Sequence, residues 1–173
     1  MSIDLSRYVR DVADFPKPGI VFKDLTPLLA DAHAFAASID ALVAPFADRG
    51  IERVVGIEAR GFIFGAAAAH ALGAGFVPMR KPRKLPARTI GVDYALEYGS
   101  DRLEMHADAL VRDERVLVVD DVLATGGTLA AAAELCEHAG ASVIGAAVVA
   151  EIMFLNGRSR WIWKAPLHAV LRF

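Results

Sequence analysis

The sequence predicts an α/β fold: a mostly parallel, twisted sheet with helices on both faces. Three observations carry that prediction. Stretches of strand character alternate with stretches of helical periodicity; the strands are apolar without interruption; and the two loops richest in reactive side chains each follow such a strand. A strand apolar on both sides is covered on both sides, and strands joined through helices run parallel. Ligands of such sheets bind at the carboxyl ends of the strands.

Taken in order, Asp31 precedes a helix whose apolar positions Phe35, Ile39, Leu42, Val43 and Phe46 recur at steps of three and four, with Gly50 closing it. Residues 53–57 form a short strand that runs into Glu58-Ala59-Arg60-Gly61, followed by a helix over 62–72 and a strand over 76–79. Residues 61–79 are about long enough for a membrane span. Their apolar content is mostly alanine, however, and Gly73, Gly75 and Pro78 divide them into a buried helix and a strand. A second unit follows: an apolar strand over 115–119, an alanine-rich helix from about 128 to 138, and a strand over 142–149. Between the units, residues 88–106 read as a hairpin-like flap. Gly99-Ser100-Asp101 separates its two segments, and Leu103 and Met105 alternate with Arg102, Glu104 and His106.

A chain of 173 residues with 55% hydrophobic and 23% charged residues suits one globular domain. Its net charge of -2 gives no support for a nucleic-acid partner, so any phosphate chemistry is local. The single cysteine, Cys136, lies in the alanine-rich helix and reads as packing. With no hydrophobic signal block in residues 1–10, the chain is expected in the cytoplasm, without a membrane partner.

The chemistry concentrates in Asp120-Asp121-Val122-Leu123-Ala124-Thr125-Gly126-Gly127-Thr128. Two carboxylates after a buried strand are costly to desolvate unless something binds them. A ribose diol suits them, because each hydroxyl can donate to an ionised carboxylate. Thr125, Gly126, Gly127 and Thr128 then supply hydroxyls and close backbone N–H groups for a phosphate at a helix N-terminus. The helix end contributes only about 0.3 to 2 kcal/mol, so the N–H contacts must supply most of the affinity. No nucleotide-triphosphate loop is present, and Gly73-Ala74-Gly75-Phe76-Val77-Pro78 fails the dinucleotide fingerprint. His33, His70, His106, His138 and His168 are too dispersed for a local zinc signature, and no serine elbow exists, so no protein-held metal is expected. Arg80, Lys81, Arg83, Lys84 and Arg88 crowd together without an acid among them, and with Arg60 they could hold a pyrophosphate.

The stretch from Val116 to Thr128 resembles the phosphoribosyl-pyrophosphate signature of the type I phosphoribosyltransferases. Four further stretches resemble the adenine-specific branch of that family: Phe15-Pro-Lys-Pro-Gly-Ile-Val-Phe-Lys-Asp-Leu-Thr-Pro27, Gly56-Ile-Glu-Ala-Arg-Gly-Phe62, Arg80-Lys-Pro-Arg-Lys-Leu-Pro86 and Leu96-Glu-Tyr-Gly99. The likeness runs from about residue 14 to 158. It implies a single phosphoribosyltransferase domain over 1–173, with a small N-terminal hood over about 1–35, a core over about 36–150, a flexible hairpin flap and a C-terminal tail over 151–173. It also implies transfer of a phosphoribosyl group from phosphoribosyl pyrophosphate to adenine, magnesium (Mg2+) carried on the pyrophosphate, and a homodimer.

The resemblance assigns roles as well. Val21 and Lys23 would offer backbone contacts to the adenine edge while Phe22 packs on its face. Arg60, Arg80, Lys81 and Lys84 would hold pyrophosphate, Asp120 and Asp121 the ribose, and Ala124, Thr125, Gly126, Gly127 and Thr128 the 5-phosphate. Glu97 and Tyr98 on the flap would be catalytic, with Glu97 exchanging a proton or hydrogen bond with purine N7. Arg83 stands where the family more often has glycine, Ala59 where serine is common, and Trp161-Ile-Trp-Lys-Ala-Pro166 has no counterpart. Two rival readings are a transferase for xanthine or hypoxanthine, and a non-catalytic regulator sensing phosphoribosyl pyrophosphate. The regulator would need a DNA-binding module for which this chain leaves no room.

Overall fold

The computed structural model describes residues 3–95 and 99–173. An antiparallel hairpin of β1 (Arg10–Ala13) and β2 (Val21–Asp24) opens the fold and leads into α1 (Thr26–Ala30) and α2 (Ala32–Val43). Next come β3 (Arg53–Ile57), α3 (Gly61–Leu72) and β4 (Gly75–Met79). A second hairpin, β5 (Thr89–Ala95) and β6 (Ser100–His106), is the anticipated flap. The chain then forms β7 (Arg115–Leu123), α4 (Gly127–His138), β8 (Ser142–Glu151) and β9 (Leu167–Arg172). Among the described residues, no helix is long and apolar enough to cross a membrane.

The central sheet has the order β4-β3-β7-β8-β9, and every neighbouring pair is parallel. Its continuous hydrophobicity has the reason anticipated above. Along β7, Val116 and Val118 face a cluster with Leu129, Ala132 and Leu135 of α4 and with Val92 and Leu103 of the flap. Leu117 and Val119 face the opposite cluster, with Leu42 of α2 and Phe64 and Ala68 of α3. Successive strand residues point to opposite sides, so two covered faces require an apolar residue at every position.

Several boundaries and one strand differ from the sequence expectation. The helix after Asp31 starts as expected, with the Asp31 carboxylate accepting from the N–H groups of His33 and Ala34. It stops at Val43 and tightens into a short 3-10 turn, because Pro45 has no N–H to donate to Ala41. The ring Nε2 of His168, arriving on β9, lies 3.0 Å from that carbonyl oxygen and satisfies it.

Strand β7 does not end before the acids. It stays paired with β8 as far as Leu123, so Asp120 and Asp121 are strand residues whose side chains leave on opposite sides. The flap's second strand already begins at Ser100, so Gly99 alone of the expected separator lies outside it. Finally, the tail contributes β9, a sheet edge that its short and irregular approach concealed.

Candidate active site

The carboxyl ends of β3 and β7, the first hairpin and the segment after β8 surround a cavity of about 590 Å³. Its walls are Ile20, Val21, Phe22 and Lys23 from the hood, Glu58, Ala59 and Arg60 after β3, and Lys81. The floor and far side are Asp120, Asp121, Val122, Ala124 and Thr128, with Ile152, Phe154 and Leu155. That size suits a small organic ligand. A side pocket of about 70 Å³ opens from it toward α4, lined by Thr125 and Gly126 besides Asp120, Ala124 and Thr128.

The side pocket is built from backbone. Gly126 caps α4 with a φ of +82°, a left-handed conformation that glycine adopts without strain, and among the described residues no side chain caps the helix. The first-turn N–H groups of α4 thus remain available to an anion beside the Thr125 and Thr128 side chains. At the neighbouring loop, a Cβ on Gly61 would meet Asp120 Oδ1 at 2.8 Å, so only glycine lets α3 start against that carboxyl.

The two aspartates sit in different electrostatic settings. Burial, and then the charge of Asp121, push the Asp120 carboxyl well above the usual carboxylate range. Asp121 is buried and forms an ion pair with Arg60 Nε. Its Oδ2 nevertheless has no aligned hydrogen-bond donor among the described residues. That Oδ2 is the oxygen against which Arg60 Nε sits, so a ligand hydroxyl would be accepted by the carboxylate's remaining lone pairs.

The basic cluster lacks local acids in sequence, yet the fold supplies them. Glu58, itself buried, takes Arg80 Nε and Lys84 Nζ, each at 2.8 Å. Burial alone would raise the Glu58 carboxyl, but the hydrogen bonds from Lys84 and Arg80 outweigh it and hold the group below its usual range. Lys81 pairs with Asp101 of the flap and donates to the Tyr94 hydroxyl at 2.7 Å, while Thr128 Oγ1 lies 3.5 Å from the same hydroxyl. Arg80 and Lys84 therefore stand behind Glu58 and outside the cavity wall, whereas Arg60 and Lys81 line it. Arg83 has a φ of +65°, which accounts for glycine at the matching position of the resembled family.

At the hood end, the Arg60 guanidinium lies 5.1 Å from the Phe22 ring centroid, and Phe15 meets Phe22 edge-on at 5.2 Å. Lys23 turns its ammonium away to Asp11 at 2.6 Å and over the Phe173 ring. Ile152, Phe154 and Leu155 form the facing wall and were absent from the sequence reading. A short apolar run after a strand carries no motif; in the structure the exposure of Met153, Phe154 and Leu155 marks it.

Glu97 and Tyr98 lie outside the described residues. No group of three or more histidine, cysteine, aspartate or glutamate side chains gathers as a metal site among the described residues.

The sequence profile of the phosphoribosyl transferase domain matches residues 23–162. A relative from Xanthomonas campestris pv. campestris (strain B100), named adenine phosphoribosyltransferase, is 58% identical over 165 residues, 95% of this chain and 89% of its own. The crystal structure of adenine phosphoribosyltransferase from Rhodothermus marinus DSM 4252 is similar with a TM-score of 0.94 and 50% identity, covering 98% of this chain and 96% of that one. The Saccharomyces cerevisiae adenine phosphoribosyltransferase, in complex with D-2,5-dideoxy-2,5-imino-altritol 1,6-bisphosphate and adenine, has a TM-score of 0.89 at 40% identity over 96% of each chain.

Proposed function

The chain belongs to the phosphoribosyl transferase family, and from that premise we propose how its residues carry the reaction for which its relatives are named. It is a glycosyltransferase that moves the 5-phosphoribosyl group of phosphoribosyl pyrophosphate onto adenine, giving AMP and pyrophosphate. The observation that carries the site assignment is the cavity between hood and sheet, which has an apolar slot and the adjacent acids Asp120 and Asp121 in its lining and shares Asp120, Ala124 and Thr128 with the small pocket at the anion cradle.

In this reading the 5-phosphate occupies the Ala124, Thr125, Gly126, Gly127 and Thr128 cradle, and Asp120 and Asp121 accept from the ribose hydroxyls. Adenine lies between Phe22 and the Phe154–Leu155 wall. Among the described residues the hood strand β2 is paired on one side only, with β1, which supports backbone contacts from Val21 and Lys23 to the base. Such an edge offers both donors and acceptors, as the amino edge of adenine demands.

As the bond from the anomeric carbon to pyrophosphate breaks, positive charge develops on the ribose and negative charge on the leaving group. Arg60 and Lys81 line the cavity to meet the leaving group. Arg80 and Lys84 complete the cluster by exchanging Glu58 for phosphate oxygens. With both acids of the cavity floor directed to the sugar, magnesium enters on the pyrophosphate as part of the substrate, where it neutralises leaving-group charge. Glu97 exchanges a proton or hydrogen bond with purine N7, and Tyr98 joins it on a flap that excludes water.

The reading extends to a single-domain homodimer in the cytoplasm. Cys136, whose thiol burial pushes up beyond the usual range, suits a reducing compartment. Exposed Ile162, at 82%, suits a protein contact. The deciding experiment incubates the protein with magnesium, phosphoribosyl pyrophosphate and adenine, hypoxanthine, guanine or xanthine in turn. Nucleotide is expected chiefly from adenine, and a preference for a keto purine defeats the assignment.

A further inference from the structure

The phosphate cradle is pressed from behind by a segment that carries no recognised motif. A Cβ on Gly126 would lie 2.2 Å from the Gly157 carbonyl oxygen, and one on Gly157 would lie 2.1 Å from the Ala124 carbonyl oxygen and 3.0 Å from the Gly126 nitrogen. The two loops thus touch backbone to backbone, with no side chain between them to absorb a shift.

Gly157 is itself held by its neighbour. Arg158 forks onto Glu151 at the end of β8, with Nε 3.0 Å from Oε1 and Nη2 2.6 Å from Oε2. Its third nitrogen, Nη1, donates to the Leu167 carbonyl of β9 at 2.6 Å. Glu151 is 3% exposed, and Arg172 approaches the same carboxylate at 3.5 Å. A buried carboxylate held by a planar fork permits little rotation of either partner.

We propose that the Glu151–Arg158 pair is a positioning device for donor binding: it sets the height of the Gly157 backbone and so holds the Ala124–Gly126 turn in its anion-binding shape. None of the three residues touches the substrate. This rests on the assignment of the cradle to the 5-phosphate. The same segment begins with Ile152, Phe154 and Leu155, so one strap lines the base slot at one end and underpins the phosphate at the other.

The test compares wild type, Gly157→Ala and Arg158→Lys by calorimetry with ribose 5-phosphate and with adenine, and by steady-state kinetics in phosphoribosyl pyrophosphate. Lysine keeps the charge that buried Glu151 requires but loses the fork, so it probes the device in a folded protein whatever alanine at 157 does to folding. The expected result is a ribose 5-phosphate Kd and a KM for phosphoribosyl pyrophosphate raised about ten- to hundredfold for Gly157→Ala, and less for Arg158→Lys, with adenine affinity nearly unchanged. Unchanged ribose 5-phosphate binding in folded variants, or an equal loss toward adenine, overturns the proposal. Wild-type protein that does not bind ribose 5-phosphate would instead remove the cradle assignment beneath it.

Discussion

Arg60 and Asp121 form an ion pair although they belong to different parts of the sheet edge, Arg60 in the loop after β3 and Asp121 within β7. The guanidinium that holds this carboxylate also lies against Phe22 of the hood. Under the proposed assignments, the regions for sugar, leaving group and base share this one side chain.

Replacing Asp121 by asparagine removes the ion pair with Arg60 and, under the proposed assignment, a charged acceptor for a ribose hydroxyl. The kcat/KM for phosphoribosyl pyrophosphate is expected to fall about tenfold or more, since hydrogen bonds to charged groups contribute about 1.5–3 kcal/mol. Unchanged kinetics would remove its role at the sugar.

Asp120 gives a stability signature. Its folded carboxyl titrates above its unfolded value, so between the two the folded chain keeps a proton that the unfolded chain has released, and stability falls as pH rises. Asp120→Asn is therefore expected to raise Tm at neutral pH, with the gain shrinking as pH approaches about 4, where the unfolded aspartate also protonates. The same variant loses affinity for phosphoribosyl pyrophosphate. A thermal scan showing a gap independent of pH contradicts the titration of this group.

Glu58 pairs with Arg80 and Lys84, and under the proposed assignment it would compete with pyrophosphate for them. Glu58→Gln is expected to tighten product inhibition by pyrophosphate about fivefold, corresponding to about 1 kcal/mol for partly exposed ion pairs. Weaker inhibition would show that Glu58 presents the two cations and does not withhold them.

Leu155 lines the cavity together with the hood residues, in the part proposed to take the base. Trimming it to alanine removes apolar contact of about 1 kcal/mol, so the KM for adenine should rise roughly fivefold while the KM for phosphoribosyl pyrophosphate stays put. An equal rise in both constants would place Leu155 elsewhere in the cycle.

For Glu97, the expectation is a loss in kcat of about 100-fold or more in Glu97→Gln, if this carboxyl moves a proton at the purine. Wild-type turnover in that variant would leave the flap without an acid-base role.

Much of this molecule is legible from residue order because the features concerned are local. The apolar run through Val119, the paired acids and the threonine-glycine turn all lie within the thirteen positions from Val116 to Thr128, and their chemistry depends on backbone conformations that neighbouring residues dictate. The alternation of strand and helix likewise follows from periodicity, and it placed both informative loops at one edge of the sheet.

Tertiary structure decided what lies across that edge. Nothing near residue 80 indicates that Glu58 and Asp101 neutralise its cations, nothing near residue 126 points to Gly157, and the tail discloses neither β9 nor the Phe154–Leu155 wall. A parallel sheet brings the carboxyl ends of β3, β7 and β8 side by side while their loops remain tens of residues apart in the chain. Pairings among those loops are set by strand order and register, quantities that emerge only when both faces of the sheet are covered at once.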